Sequence, residues 1–236
     1  NTSPQIGGAL GIAVLSSVAI AQSNTAAKAG DAVPQSLEQI GYRVINIAPE
    51  NISEKYLEKF DAVVVGIRAY NTVNELKNKQ EDLLQYVKDG GNLIVQYNTS
   101  QRFQLSNLAP YPLEISRGRV TDENAPVHFL ASEHAVLNTP NKITQKDFEG
   151  WVQERGLYFP DSWGPEFTPI LSMSDPGEEP LQGSLLVAPY GKGYYIYTGL
   201  SFFRELPAGV PGAFKLFANL VSMGADDQES INNPSN

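Results

Sequence analysis

Two apolar runs limit the fold more than any other feature of this chain. "DAVVVGI" (residues 61–67) and "NLIVQY" (residues 92–97) are rich in β-branched residues and do not alternate with polar ones. A strand of that kind has to be covered on both faces. Between them, "NELKNKQEDLLQYVKDGG" sets Leu76, Leu83, Leu84 and Val87 at helical spacing and stops at Gly90. Strand, helix and strand in this order predict parallel neighbours joined by a right-handed crossover, with helices on both sides of the sheet. The same alternation runs upstream. "GDAVPQSLEQIGY" offers Asp31 as a cap, Pro34 in the first turn and Gly41 as a stop; "RVINI" reads as a strand; Ser53 opens the short helix "EKYLEKF". The first half therefore predicts an α/β fold of the doubly wound class with a mainly parallel sheet.

The second half is broken by prolines, from Pro110 to Pro180, so long helices are not expected there. "GSLLVAPYGKGYYIYTGL" reads as a hairpin turning at Tyr190-Gly191-Lys192-Gly193. "GVPGAFKLFANLVSMG" reads as a closing helix started by Pro211 and ended by Gly224, with Phe214, Phe217, Leu220 and Val221 on one face. No repeat or linker divides the chain, which predicts one α/β domain over residues 30–224 and a polar tail over 225–236. Residues 1–29 admit several readings. The run "IGGALGIAVLSSVAIA" falls short of the ~20 apolar residues of a spanning helix, so no stable membrane span is expected. Ala19-Ile20-Ala21 looks like a signal-peptidase site, but no Lys or Arg precedes the apolar core. A buried first strand over residues 11–16 and an interfacial segment are the other readings.

Composition narrows the chemistry. The chain has 236 residues and a formal net charge of −9, with its basic residues scattered, which argues against nucleic acid or anionic membrane as a partner. It has no cysteine and only two histidines, His128 and His134, so disulfides, thiolate catalysis and Cys-ligated metals are excluded and a His-rich zinc site is not expected. No Walker-type loop, GxGxxG turn or calcium-loop spacing is present, and no cofactor is expected.

Ligands of an open parallel sheet bind at the carboxyl ends of its strands. Those ends carry Arg68, Tyr70 and Asn71 after the first run and Gln96, Tyr97 and Asn98 after the second. Neutral amides, flat phenol rings and one guanidinium suit a polar neutral ligand such as a sugar or peptide, or else satisfy the loops themselves. A second polar cluster, "DFEGWVQERGLYF", contains Asp147, Glu149, Trp151, Glu154 and Arg155. Glu149 or Glu154 could work as an acid/base in glycoside hydrolysis, with Trp151 stacking on sugar. Against that, "TQKD" is a capping signature that occupies Asp147, and Glu154 with Arg155 could form a surface ion pair. In "RGRVTDEN" an internal salt-bridge network is the leading reading, ahead of an ion clamp.

Five segments together carry a resemblance: "DAVVVGIRAYN", "YVKDGGNLIVQYNTS", "PYPLEISRGRVTDENAPV", "NKITQKDFEGWVQERGLYF" and "YGKGYYIYTGLSFFRELPAGVPGAFKLFANL". Over about residues 30–222 the chain resembles the C-terminal region of large bacterial PIG-L (LmbE-like) deacetylase proteins. That region is similar in fold to class I glutamine amidotransferases, which implies a flavodoxin-like sheet between helices. The resemblance implies that the strand over residues 93–97 would end in a cysteine on a tight elbow, where this chain has Tyr97-Asn98-Thr99. The partner His and Glu motif is not recognisable after Trp151, and the zinc deacetylase motif is absent. The resemblance thus implies a non-catalytic accessory domain binding a glycan or amino-sugar polymer, partnered by a deacetylase domain of the same parent protein and secreted or periplasmic. A hydrolase, or a structural homo-oligomerisation domain with an apolar patch at Phe202-Phe203, are the alternatives.

Overall fold

The structure is a computed structural model that describes residues 17–21, 33–101, 105 and 107–224. Its strands are β1 (Ser17–Ala21), β2 (Arg43–Ile47), β3 (Ala62–Val65), β4 (Asn92–Gln96), β5 (Leu113–Val120), β6 (Val127–Phe129), β7 (Gly156–Trp163), β8 (Thr168–Pro169), β9 (Leu171–Met173), β10 (Leu185–Tyr190) and β11 (Gly193–Thr198). Its α-helices are α1 (Val33–Gln39), α2 (Glu54–Leu57), α3 (Ala69–Thr72), α4 (Asn74–Lys77), α5 (Gln80–Asp89), α6 (Phe202–Glu205) and α7 (Pro211–Val221).

The main sheet has the order β2-β1-β3-β4-β11-β10-β8, parallel from β2 through β11 and antiparallel beyond. This is the 2-1-3-4-5 winding of flavodoxin-like folds, with β11 as the fifth parallel strand. Residues 62–65 are 0% exposed, which explains the unbroken apolar run: α1 and α7 cover one face, while α2 to α5 cover the other. Two small antiparallel sheets, β5-β7 and β6-β9, flank the layer.

The last five residues of the apolar N-terminal stretch form β1, buried from Val18 to Ala21 between β2 and β3. Ala19, Ile20 and Ala21 are thus core residues here. The strand lies past the expected residues 11–16, which, like Asp31, are outside the described residues. The helix expected across residues 74–89 is two helices, because Asn78 and Lys79 break it before α5. The 190–193 hairpin forms as read, and Gly191 takes a positive φ of 62°. Gly193 is needed for another reason: a Cβ there would lie 2.1 Å from the Gly91 carbonyl, so only glycine lets the hairpin cross the end of α5. Pro211 opens α7, whose Phe214, Phe217, Leu220 and Val221 are all buried.

Candidate functional site

The exits of β3 and β4 are sewn together by side-chain amides. Asn98, 0% exposed, accepts from the Tyr70 N–H through Oδ1 (3.1 Å) and donates to the Gln96 carbonyl (3.0 Å). Asn71 accepts from the Thr99 N–H (2.8 Å) and donates to the Thr99 carbonyl (3.1 Å). Tyr70 is buried and bonds through its hydroxyl to Gln80, which in turn donates to the Leu108 carbonyl (2.8 Å). Tyr70, Asn71 and Asn98, read from the sequence as ligand groups, therefore spend their polar atoms on the elbow itself. Gln96 is different. It is 1% exposed, and neither of its amide atoms has a hydrogen-bond partner among the described residues.

Arg68 stands at the rim. Its backbone is left-handed (φ 54°, ψ 17°), held by its N–H donating to the Tyr97 carbonyl (2.8 Å) and its own carbonyl accepting from Asn71 N–H and the Thr72 hydroxyl. A non-glycine residue in that region costs about 1 kcal/mol or more and persists only where neighbours hold it. The guanidinium is left in solvent. Beside it, the Tyr97 ring stacks on Tyr158 (5.7 Å between centroids, 11° between planes) and leans on Phe203 (5.4 Å). Burial raises the Tyr97 phenol; the charges of Arg68 and Arg204 oppose that rise, and Glu154 and Tyr158 add to it. These side chains thus share one locality at the carboxyl edge of β4 and β11.

Glu154 is buried and bound to Arg204 Nε (2.8 Å), with Arg119 Nη2 farther off at 3.6 Å. The expected ion pair with its neighbour does not form, because Arg155 turns inward. There Nε and Nη2 donate to the Ala125 carbonyl (3.0 and 2.9 Å), Nη1 donates to Phe148 (2.6 Å), and the guanidinium lies over the rings of Phe148 and Trp151. Trp151 is only 4% exposed, donates to the Asp147 carbonyl (3.0 Å) and stacks on Phe148, so it offers no face to a sugar. Asp147 accepts from the Thr144 N–H (2.7 Å) and from Lys215 (2.9 Å), in agreement with the capping signature. Burial alone would raise its carboxyl, but Lys215 and Thr144 outweigh that and hold it below the usual value. Glu149 is exposed, while Glu154 is committed to its arginines. In "RGRVTDEN" the inward ties run from the N–H groups of Thr121 and Asp122 to the Asp175 carboxylate (both 2.8 Å), alongside the Arg119–Glu154 contact.

Four residues were missed as site groups in the sequence: Tyr158, Phe203 (named there only within an apolar patch), Arg204 and Glu205. The last three follow β11, and the signal that could have found them is that β11 runs parallel to β4 and so exits at the same edge. Glu205 is 0% exposed; one carboxylate oxygen accepts from the Val152 N–H (2.9 Å) and the other has no hydrogen-bond partner among the described residues. Burial pushes it up to about 7 against the pull of the Val152 N–H, Arg155 and Arg204, and Glu154 adds to the rise. Phe202 is buried against Phe217 and Trp151, while Phe203 packs on Tyr97 and is half-buried, so the pair does not form the expected exposed apolar patch. Among the described residues, no group of three or more His, Asp or Glu could hold a metal ion, and no helix is long and apolar enough to cross a membrane.

No family model matches the sequence, and no curated protein matches it either. Solved structures do. A protein assigned as part of GMP synthase, from Thermoplasma acidophilum, superposes with a TM-score of 0.55 at 13% identity, over 92% of this chain and 98% of its own. A ThuA-like protein from Bacteroides uniformis gives 0.56 at 13% identity, over 89% and 92%. A β-galactosidase from Bacillus circulans sp. alkalophilus gives 0.54 at 12% identity, over 93% of this chain but 32% of the galactosidase. At such identities the likeness concerns architecture alone: the chain has the flavodoxin-like fold of ThuA-like and class I glutamine amidotransferase-like domains.

Proposed function

We propose that this chain is a non-catalytic, amidotransferase-like domain that binds a glycan, as an accessory unit of a secreted or periplasmic carbohydrate-active protein of the PIG-L deacetylase type. One observation carries the reading. Where the resemblance puts a thiol nucleophile, the chain instead has the half-buried rings of Tyr158 and Phe203, packed against a Tyr97 that is itself only 6% exposed, beside two guanidinium groups. Aromatic rings with polar side chains at their edge suit the apolar faces and peripheral hydroxyls of a sugar ring. The likeness to one part of a galactosidase supports the accessory role without defining it.

Calorimetric titration with a panel of neutral and acidic oligosaccharides tests the proposal. Binding that weakens at least tenfold in Tyr158→Ala, with the unfolding transition preserved, is the expected outcome. Silence across the whole panel would leave only a role in domain or inter-chain contacts.

A further inference from the structure

We infer that the ligand of this rim is an acidic saccharide, one whose carboxylate is received by Arg68 and Arg204. This rests on the glycan reading above and names its class. The sequence suggested neutral ligands because amides crowd the strand ends, but Asn71 and Asn98 are consumed within the elbow. What the rim retains is cationic. Among the described residues, the Arg68 guanidinium makes no hydrogen bond or ion pair. Arg204 gives its Nε to Glu154, lies 4.8 Å over the Phe203 ring, and among the described residues has no hydrogen bond from either terminal nitrogen.

Two guanidinium charges and one carboxylate act on the Tyr97 phenol, and that carboxylate is further neutralised by Arg119. A locally positive rim on a chain of net charge −9 is a focused attraction for a small anion. Guanidinium forks match a planar carboxylate in two-point geometry, whereas an uncharged hydroxyl would leave their charge uncompensated. The left-handed backbone of Arg68 agrees with this assignment: a strained conformation is maintained by three backbone contacts at the place where the side chain leaves for solvent.

The test is calorimetry on the full chain with galacturonate oligomers, their methyl-esterified forms, neutral galactose oligomers of equal length, and citrate. The expected result is binding of the galacturonate oligomer that weakens at least tenfold on esterification and falls as salt is raised. Arg68→Gln and Arg204→Gln should each weaken it about tenfold, while Arg68→Gln leaves the unfolding midpoint unchanged because its side chain supports nothing else. Equal affinity for neutral and acidic oligomers would overturn the inference and keep the glycan proposal. Citrate binding as tightly as the galacturonate oligomer would overturn the sugar component. No binding by any saccharide would overturn both.

Discussion

Arg155 and Arg204 lie in one neighbourhood and do opposite work. Arg155 is 4% exposed and places three nitrogens on the carbonyls of Ala125 and Phe148, against the stacked rings of Phe148 and Trp151. Arg204 meets Glu154 through one nitrogen and turns the rest of its fork to the rim. The difference lies in what backbone is at hand. Where carbonyls converge without secondary-structure partners, a guanidinium becomes their donor and a pillar of the fold. Where none converge, the same side chain remains available to something from outside.

The contrast can be broken most forcefully at the pillar. Arg155→Ala should cost about 3 kcal/mol or more, since two buried carbonyls lose their donors and the stacked Phe148 and Trp151 rings lose the cation packed against them; a midpoint near that of the parent in denaturant unfolding would make Arg155 as dispensable as Arg204. Asn98→Ala comes next, at about 2 kcal/mol, because the Tyr70 N–H and Gln96 carbonyl are left buried without their partner. The acidity of Glu205 sharpens the picture by pH. The folded state holds that proton up to about pH 7, whereas an unfolded glutamate releases it near the ordinary value of 4.5. Between those values the folded state binds more protons, so stability should fall as pH rises through this window and then level off. Thermal scans of Glu205→Gln should lose that slope. The smallest effect has the opposite sign. Gln96→Leu removes a buried amide that bonds to nothing and should gain about 1 kcal/mol in chemical denaturation.

Much of this was readable beforehand. The covered runs at residues 62–65 and 92–95 announce a parallel sheet because only a strand packed on both faces tolerates unbroken valine and isoleucine. Pro211 and the TQKD signature declare their roles through local backbone chemistry. The functional rim was not readable in the same way. Whether Asn98 meets a ligand or the Tyr70 N–H is decided by a residue 28 positions away, and Arg155 is aimed by a carbonyl 30 positions away. The hairpin pattern also concealed that β11 has a second, parallel neighbour in β4, which is why Arg204 was overlooked and Phe203 was read only as part of an apolar patch. Periodicity reports which face of an element is apolar; it is silent on which distant chain segment arrives there.

The far border of the main sheet has a consequence for how copies of the molecule meet. That border is β8, two residues long and ending in Pro169. A proline there withholds a donor, and so short a segment gives an incoming strand little to grip. On that side extension of the sheet from molecule to molecule is disfavoured, which turns association on that flank toward side-chain contacts.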